Sequence, residues 1–261
     1  MKQYGFFDLS DRYDQLSQHG DPLEKLNGVI EWKVFVPLLN RGLMKSRKKK
    51  TGAGRPPYPM LLMFKILVLQ SLYNLSDEQT EYQIRDRLSF MRFLDLHPGS
   101  RVPDEKTIWL FKERLTQGKV LEKLFSRFDR FLNEQGFHAR TGQIVDASIV
   151  PAPRQRNSRE ENAQVKSGEI PEDWQEKPEK LRQKDVDARW TKKLGETYYG
   201  YKNHINVDVE HKLIRQFAVT PASTPDIMMF GDLLDPNNTG EGVWGDKAYR
   251  GSRAAYAMGD D

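Results

Sequence analysis

The chain has 261 residues, enough for two domains, and 38 % hydrophobic against 30 % charged residues, so it can build a core while staying more polar than average. It has no cysteine, which excludes disulfides and thiolate metal sites, and its five histidines form no His-x-x-x-His pair. The formal net charge of +4 carries meaning only where the bases cluster.

The N-terminus, "MKQYGFFDLSDRYDQ", lacks the apolar region of a signal peptide. The most apolar run, "MLLMFKILVLQ", is interrupted by Lys65 and is too short to span a bilayer. A soluble cytoplasmic protein with no membrane partner is expected. Residues 1–44 hold scattered aromatics and one helix, Pro22 to Leu39, which Pro37 should end or kink. In "KSRKKKTGAGRPPYP", residues 45–58 gather Lys45, Arg47, Lys48, Lys49, Lys50 and Arg55 among Gly and Pro. Such a run cannot enter a core; it reads as a basic arm. Each base set near a nucleic-acid phosphate releases counterions, so binding through the arm would be strongly salt-dependent. A solvated linker is the plainer alternative.

Residues 59–138 read as all-helical. Pro59 opens one helix, Ser76 and Gln79 form a capping box for the next, and Asp104 caps "EKTIWLFKERL". Leu121, Leu124, Phe125, Phe128 and Leu132 mark another amphipathic helix that Gly136 ends. Arg85, Arg87, Arg92, Lys112 and Arg114 on these helices are candidates for phosphate contacts, which set position rather than sequence. Trp109 and Trp190 read as packing residues.

At Gly142 the periodicity changes. "QIVDASIV" is short, apolar and β-branched, as a buried strand should be. Residues 154–197 are polar and read as a long, partly mobile insertion, with Asp185 and Asp187 in surface turns. "YYGYKNHINVDVE" and "LIRQFAVTPAS" form a hairpin turning at Glu210–Lys212, and the alternation of "INVDVE" puts Asp208 toward water. "TPDIMMFGDLLD" is a helix with Thr224 as cap and Pro225 in its first turn. "GEGVWGD" is a last short strand, and "KAYRGSRAAYAMGDD" begins a helix. Helices followed by strand, hairpin, helix and strand describe a helical domain and then an α/β domain on a mixed sheet.

Asp146 and Asp246 each follow apolar residues on short strands. If those strands are neighbours, their backbones lie about 4.8 Å apart. Two carboxylates that close repel unless one is protonated or a divalent cation sits between them. Oxygen ligands suit Mg²⁺, and a pair of such ions roughly 3.5–4 Å apart can drive phosphodiester displacement. A single strand-end Asp reads equally as a turn or cap residue.

Together "VPDEKTIWLFKERL", "QIVDASIVPAP", "DARWTKKLGETYYGYKNH" and "VWGDKAYRG" resemble bacterial insertion-sequence transposases of the DDE type, the IS-five group; "SLYNLSDEQTEYQIRDRLSFMRFLDL" resembles their N-terminal helical domain. The resemblance runs from about Leu39 onward, with the motifs in the family's order. It implies an α/β, RNase H-like mixed sheet with flanking helices, preceded by an all-helical N-terminal domain. The implied organisation is a helical segment 1–44, the arm 45–58, a DNA-binding domain 59–138 and a catalytic domain 139–261 holding the insertion. It further implies Mg²⁺ or Mn²⁺ as cofactor, held by Asp146 and Asp246. The implied partners are DNA, at terminal inverted repeats and at target sites, and other copies in a dimer or higher assembly; the implied location is the cytoplasm, at the nucleoid.

Lys247 and Arg250 follow the second aspartate and either hold a phosphate near the metals or form the solvated face of a helix. Tyr201, Lys202 and His204 match the family pattern, with Lys202 a candidate for DNA contact and a structural role on the hairpin as the alternative. The family's third acid is a Glu on a later helix, and no residue here can be assigned to it, so a fold incomplete at its C-terminus is expected. Two functions follow. One is metal-dependent strand cleavage and transfer, weak here for want of the third acid. The other is an inactive DNA-binding fragment that competes for element ends.

Overall fold

Helix ends in the first half follow their capping residues. The computed structural model describes residues 8–44, 56–155, 157–238, 240 and 242–249, which fall into two compact units, Met1–Leu132 and Asn133–Asp261. The basic residues Lys45, Arg47, Lys48, Lys49, Lys50, Arg55 and Arg250 lie outside the described residues.

The first unit holds α1 (Asp8–Gln18), α2 (Pro22–Val29), α3 (Val36–Met44), α4 (Met60–Leu72), α5 (Asp77–Asp86), α6 (Leu88–Phe93), α7 (Glu105–Gln117) and α8 (Leu121–Glu134). The capping box at α5 is present, with Gln79 N donating to Ser76 Oγ at 3.1 Å and Ser76 N to Gln79 Oε1 at 3.2 Å. Asp104 caps α7 through Thr107 N at 2.7 Å. The single helix expected over Pro22–Leu39 is instead α2, a 3-10 turn at Trp32–Phe35, and α3. Pro37 sits in the first turn of α3, where its missing N–H costs nothing. Leu23, Phe35 and Leu39 pack with Ile66, Leu69, Ile84, Phe90 and Ile108 in one cluster, so residues 23–39 share the core of the helices that follow. Lys65 is buried in that core. Its ammonium lies 4.8 Å from the Phe93 ring centre and pairs with Asp95 at 3.1 Å.

The second unit is a mixed sheet of β1 (Gln143–Pro151), β2 (Arg189–Lys193), β3 (Glu196–Asp208), β4 (Ile214–Pro221) and β5 (Val243–Gly245). β3 is central and pairs antiparallel with β1, β2 and β4, while β5 pairs parallel with β1. Residues 154–197, expected as a partly mobile insertion, carry α9 (Arg159–Ser167), α10 (Glu172–Glu176), α11 (Pro178–Leu181) and the whole of β2. Ser158 and Glu161 cap α9 reciprocally. The fully buried Trp174 donates to Glu161 Oε1 at 2.8 Å, which anchors the segment. Asp185 is a turn residue, as its acceptance of Asp187 N and Ala188 N requires, and it also receives the Tyr201 hydroxyl.

Before the sheet's last strand the chain makes a 3-10 turn, Asp226–Met229, and one helical turn, α12 (Phe230–Leu233). Thr224 does not cap them. Its carbonyl instead accepts from Lys202 Nζ at 2.7 Å. The polarity of β3 is the reverse of the expected one. His204, Asn206 and Asp208 are buried, and Ile205 and Val207 lie on the more open face. Asp208 therefore does not face water; its carboxylate accepts from Glu210 N, His211 N and Leu213 N and so builds the hairpin turn. Trp109 and Trp190 are 56 % and 49 % exposed, so neither is a core residue. The Trp190 ring packs 5.0 Å from Tyr199, under Arg154.

Candidate active site

Parallel pairing sets Gln143 against Val243, Ile144 against Trp244 and Val145 against Gly245. The ladder ends there, and Asp146 and Asp246 each follow its last pair by one residue, Asp246 at the start of the turn that leads into Lys247–Tyr249. Both are exposed, against the expectation of buried acids. The reason is the alternation of β1: Gln143, Val145 and Ala147 turn into the unit's core, while Ile144, Asp146 and Ser148 turn to the open face with Phe217, Val219 and Trp244.

Each aspartate is held by its own backbone. Asp146 Oδ1 accepts from Ala147 N at 2.7 Å. Asp246 Oδ1 accepts from Ala248 N at 2.8 Å, and its carbonyl from Tyr249 N at 3.2 Å, which closes the 3-10 turn Lys247–Tyr249. Among the described residues neither carboxylate has a cationic partner, so each remains an unneutralised oxygen donor of the kind a hard cation takes. These donors fit Mg²⁺ or Mn²⁺. Among the described residues no group of three or more Asp, Glu, His or Cys side chains comes within joint reach of one metal ion.

The position of β5 is set by a buried amide network. Gln143 Nε2 donates to the carbonyls of Asp235 at 3.0 Å and Asn238 at 2.8 Å. Asn238 exchanges two hydrogen bonds with the backbone of Gly142, at 2.8 and 2.7 Å. Asn206 Nδ2 reaches Gln143 Oε1 and the Leu233 carbonyl. Gly142 has φ +117, and a Cβ there would lie 2.4 Å from the Trp244 ring, so only glycine fits where β5 docks.

Under the aspartates, Tyr249 packs with Val145, Phe230 and Leu233. Beside it, Lys202 Nζ lies 2.8 Å from Asp226 Oδ1, both largely buried. The ammonium of Lys202 is turned inward, and a DNA phosphate would have to displace Asp226 to reach it. His204 is fully buried with Nε2 2.8 Å from Thr220 Oγ1, and its burial holds the imidazole pKa below the usual histidine range. Lys247 is exposed in the turn after Asp246, where a phosphate can approach it. Sequence reasoning passed over Tyr249, Asp226 and Gln143. The one available signal was an aromatic three residues past an acid in "GDKAY".

In the helical unit, Arg92 is consumed by Asp21 at 2.6 Å and Glu24 at 3.3 Å, Arg85 by Glu81 at 2.9 Å, and Lys112 by Asp77 at 2.6 Å. Arg87 lies over the rings of Tyr73 and Phe90. Arg114 is different. With Arg41 and Lys123 it lines a cavity of about 520 Å³ walled by Leu38, Gly42, Gln117, Gly118 and Val120, with no acid in the lining.

No solved structure matches the chain significantly. Residues 11–114 match the transposase domain family DUF772, and residues 138–258 match the transposase DDE domain family. The DDE family generally uses divalent metal ions. The two matches cover the helical unit and the sheet unit in turn, and together they identify the chain as an insertion-sequence transposase of the DDE class.

Proposed function

We propose that the chain belongs to the IS-five group, that its sheet unit is RNase H-like, and that Asp146 and Asp246 hold Mg²⁺ or Mn²⁺ for cleavage and transfer of DNA strands at terminal inverted repeats. The observation that supports this reading is the parallel register of β1 and β5, whose last pair, Val145 and Gly245, immediately precedes the two acids. The sheet order β4-β3-β1-β5, with β5 alone parallel to β1, supports it. Bound there, the metal supplies an activated water or 3′-hydroxyl and stabilises the leaving oxygen. The carboxylates fix where the scissile phosphate must sit, and Lys247 neutralises its charge. Arg250 and the basic residues 45–55 are proposed as further phosphate contacts. The acid-free cavity of Arg41, Arg114 and Lys123 suits a backbone phosphate. A dimer or higher assembly on DNA, at the nucleoid, completes the reading.

Asp146→Asn and Asp246→Asn test it. Each should abolish Mn²⁺ binding and nicking of DNA carrying the element ends, and leave the melting temperature unchanged, because neither carboxylate has a cationic partner among the described residues. Full metal binding by both variants would remove the reading.

A second reading, binding to the ends without cleavage, rests on the lack of a third carboxylate in reach of the pair among the described residues. It predicts a salt-dependent gel shift with preference for the ends, and no nicking in Mn²⁺.

A further inference from the structure

Tyr249 is 5 % exposed, and its hydroxyl has no hydrogen-bond partner among the described residues. Asp226 Oδ1 is also buried, in an ion pair with Lys202 Nζ at 2.8 Å. An orphaned buried hydroxyl is rare in folded proteins and requires a physical account. Tyr249 and Asp226 belong to neighbouring turns. Lys247–Tyr249 packs on Asp226–Met229, and the Tyr249 ring lies 5.7 Å from that of Phe230. The ring is tightly held: a Cβ on Gly245 would come within 3.1 Å of it.

We propose that Tyr249 and Asp226 are positioning residues for the metal site: in the metal-bound protein the Tyr249 hydroxyl donates to the Asp226 carboxylate. This link ties the turn that follows Asp246 to the sheet. With this link, contacts would run from Asp246 through the closed turn to Tyr249, then Asp226, then Lys202 on β3. A cation shared by Asp146 and Asp246 would need the turn after Asp246 held in one pose, which the link supplies. Groups that orient a metal ligand from behind typically change affinity by about 10–100-fold when removed. The inference rests on the proposed role of Asp146 and Asp246.

The test is Mn²⁺ affinity of the full chain, read as free Mn²⁺ by electron paramagnetic resonance, for wild type, Tyr249→Phe, Asp226→Ala, the double variant and Asp146→Asn. Tyr249→Phe keeps the ring and removes the oxygen. It should keep the melting temperature of the metal-free protein and weaken Mn²⁺ binding about 10-fold. Asp226→Ala should weaken binding similarly, and the double variant should bind no worse than the weaker single one, because both remove the same link. A merely structural role would lower the melting temperature and leave the affinity of the folded protein unchanged. Wild-type affinity in Tyr249→Phe, beside lost binding in Asp146→Asn, overturns this inference alone. Retained binding in Asp146→Asn overturns the reading of the site, and the inference with it.

Discussion

In the helical unit, Phe35, Ile66, Leu69, Ile84, Phe90 and Phe93 are buried against one another with little polar company. The sheet unit buries Gln143, His204, Asn206, Asp208, Arg215 and Asn238 beside a smaller apolar cluster of Val145, Phe230, Leu233 and Tyr249. Apolar burial is non-directional, so it makes the first unit stable while specifying little about individual atoms. Hydrogen bonds contribute less net stability but fix orientation, and leaving one unmade inside costs more than making it gains. The unit that carries Asp146 and Asp246 is the one built on directional contacts.

Three measurements break or sharpen this contrast. The largest effect belongs to Phe90→Ala, which opens a cavity in the aromatic core and should cost about 3–5 kcal/mol, read by chemical denaturation with helical circular dichroism. A loss under ~1 kcal/mol would show that the helical unit does not depend on that packing. Asn206→Ala should cost about 1–3 kcal/mol in the sheet unit, since it strips partners from Gln143 and the Leu233 carbonyl. Its signature is faster amide exchange at Gly142 and Asp235, which border the network; unchanged exchange there would separate the network from the placing of β5.

The smallest effect is a pH dependence. The buried His204 has a pKa below the ordinary 6.5, so it is neutral in the fold and gains protons on unfolding. Its contribution to stability is complete above that unfolded value and is lost as pH falls through the lower folded value. Acid should therefore loosen the sheet unit before the helical unit. His204→Gln should flatten the difference, as followed by the melting temperatures of the two units between neutral and acid pH.

How far the sequence reveals this molecule depends on which contacts set each feature. Helix starts at Asp77 and Glu105 were legible because a cap is a contact over three residues. The same signal stood at Ser158 and Glu161 and was outweighed by the polarity of its surroundings. β2 was missed because "RWTKK" is basic, and only its pairing with β3 makes it a strand. The inverted faces of β3 have a similar cause. Ile205 and Val207 look like core residues, yet the polar side chains opposite them are the ones covered by α12 and the amide network, a choice made by distant parts of the chain. Of the proposed site, the sequence singles out the two aspartates by their apolar approach. Their exposure, and the turn that supports one of them, became visible only in three dimensions.

Asp146 and Asp246 lie about a hundred residues apart in the chain, and each follows the last of three residue pairs of parallel ladder. Closing so long a loop adds only slowly to the entropic cost, but nothing local can form the pair early. During synthesis the helical unit and most of the sheet emerge first, and a ribosome-bound chain that has reached only β4 has one aspartate without its neighbour. The ladder that precedes both aspartates is therefore among the last parts of the sheet to form, after the helical unit has left the ribosome.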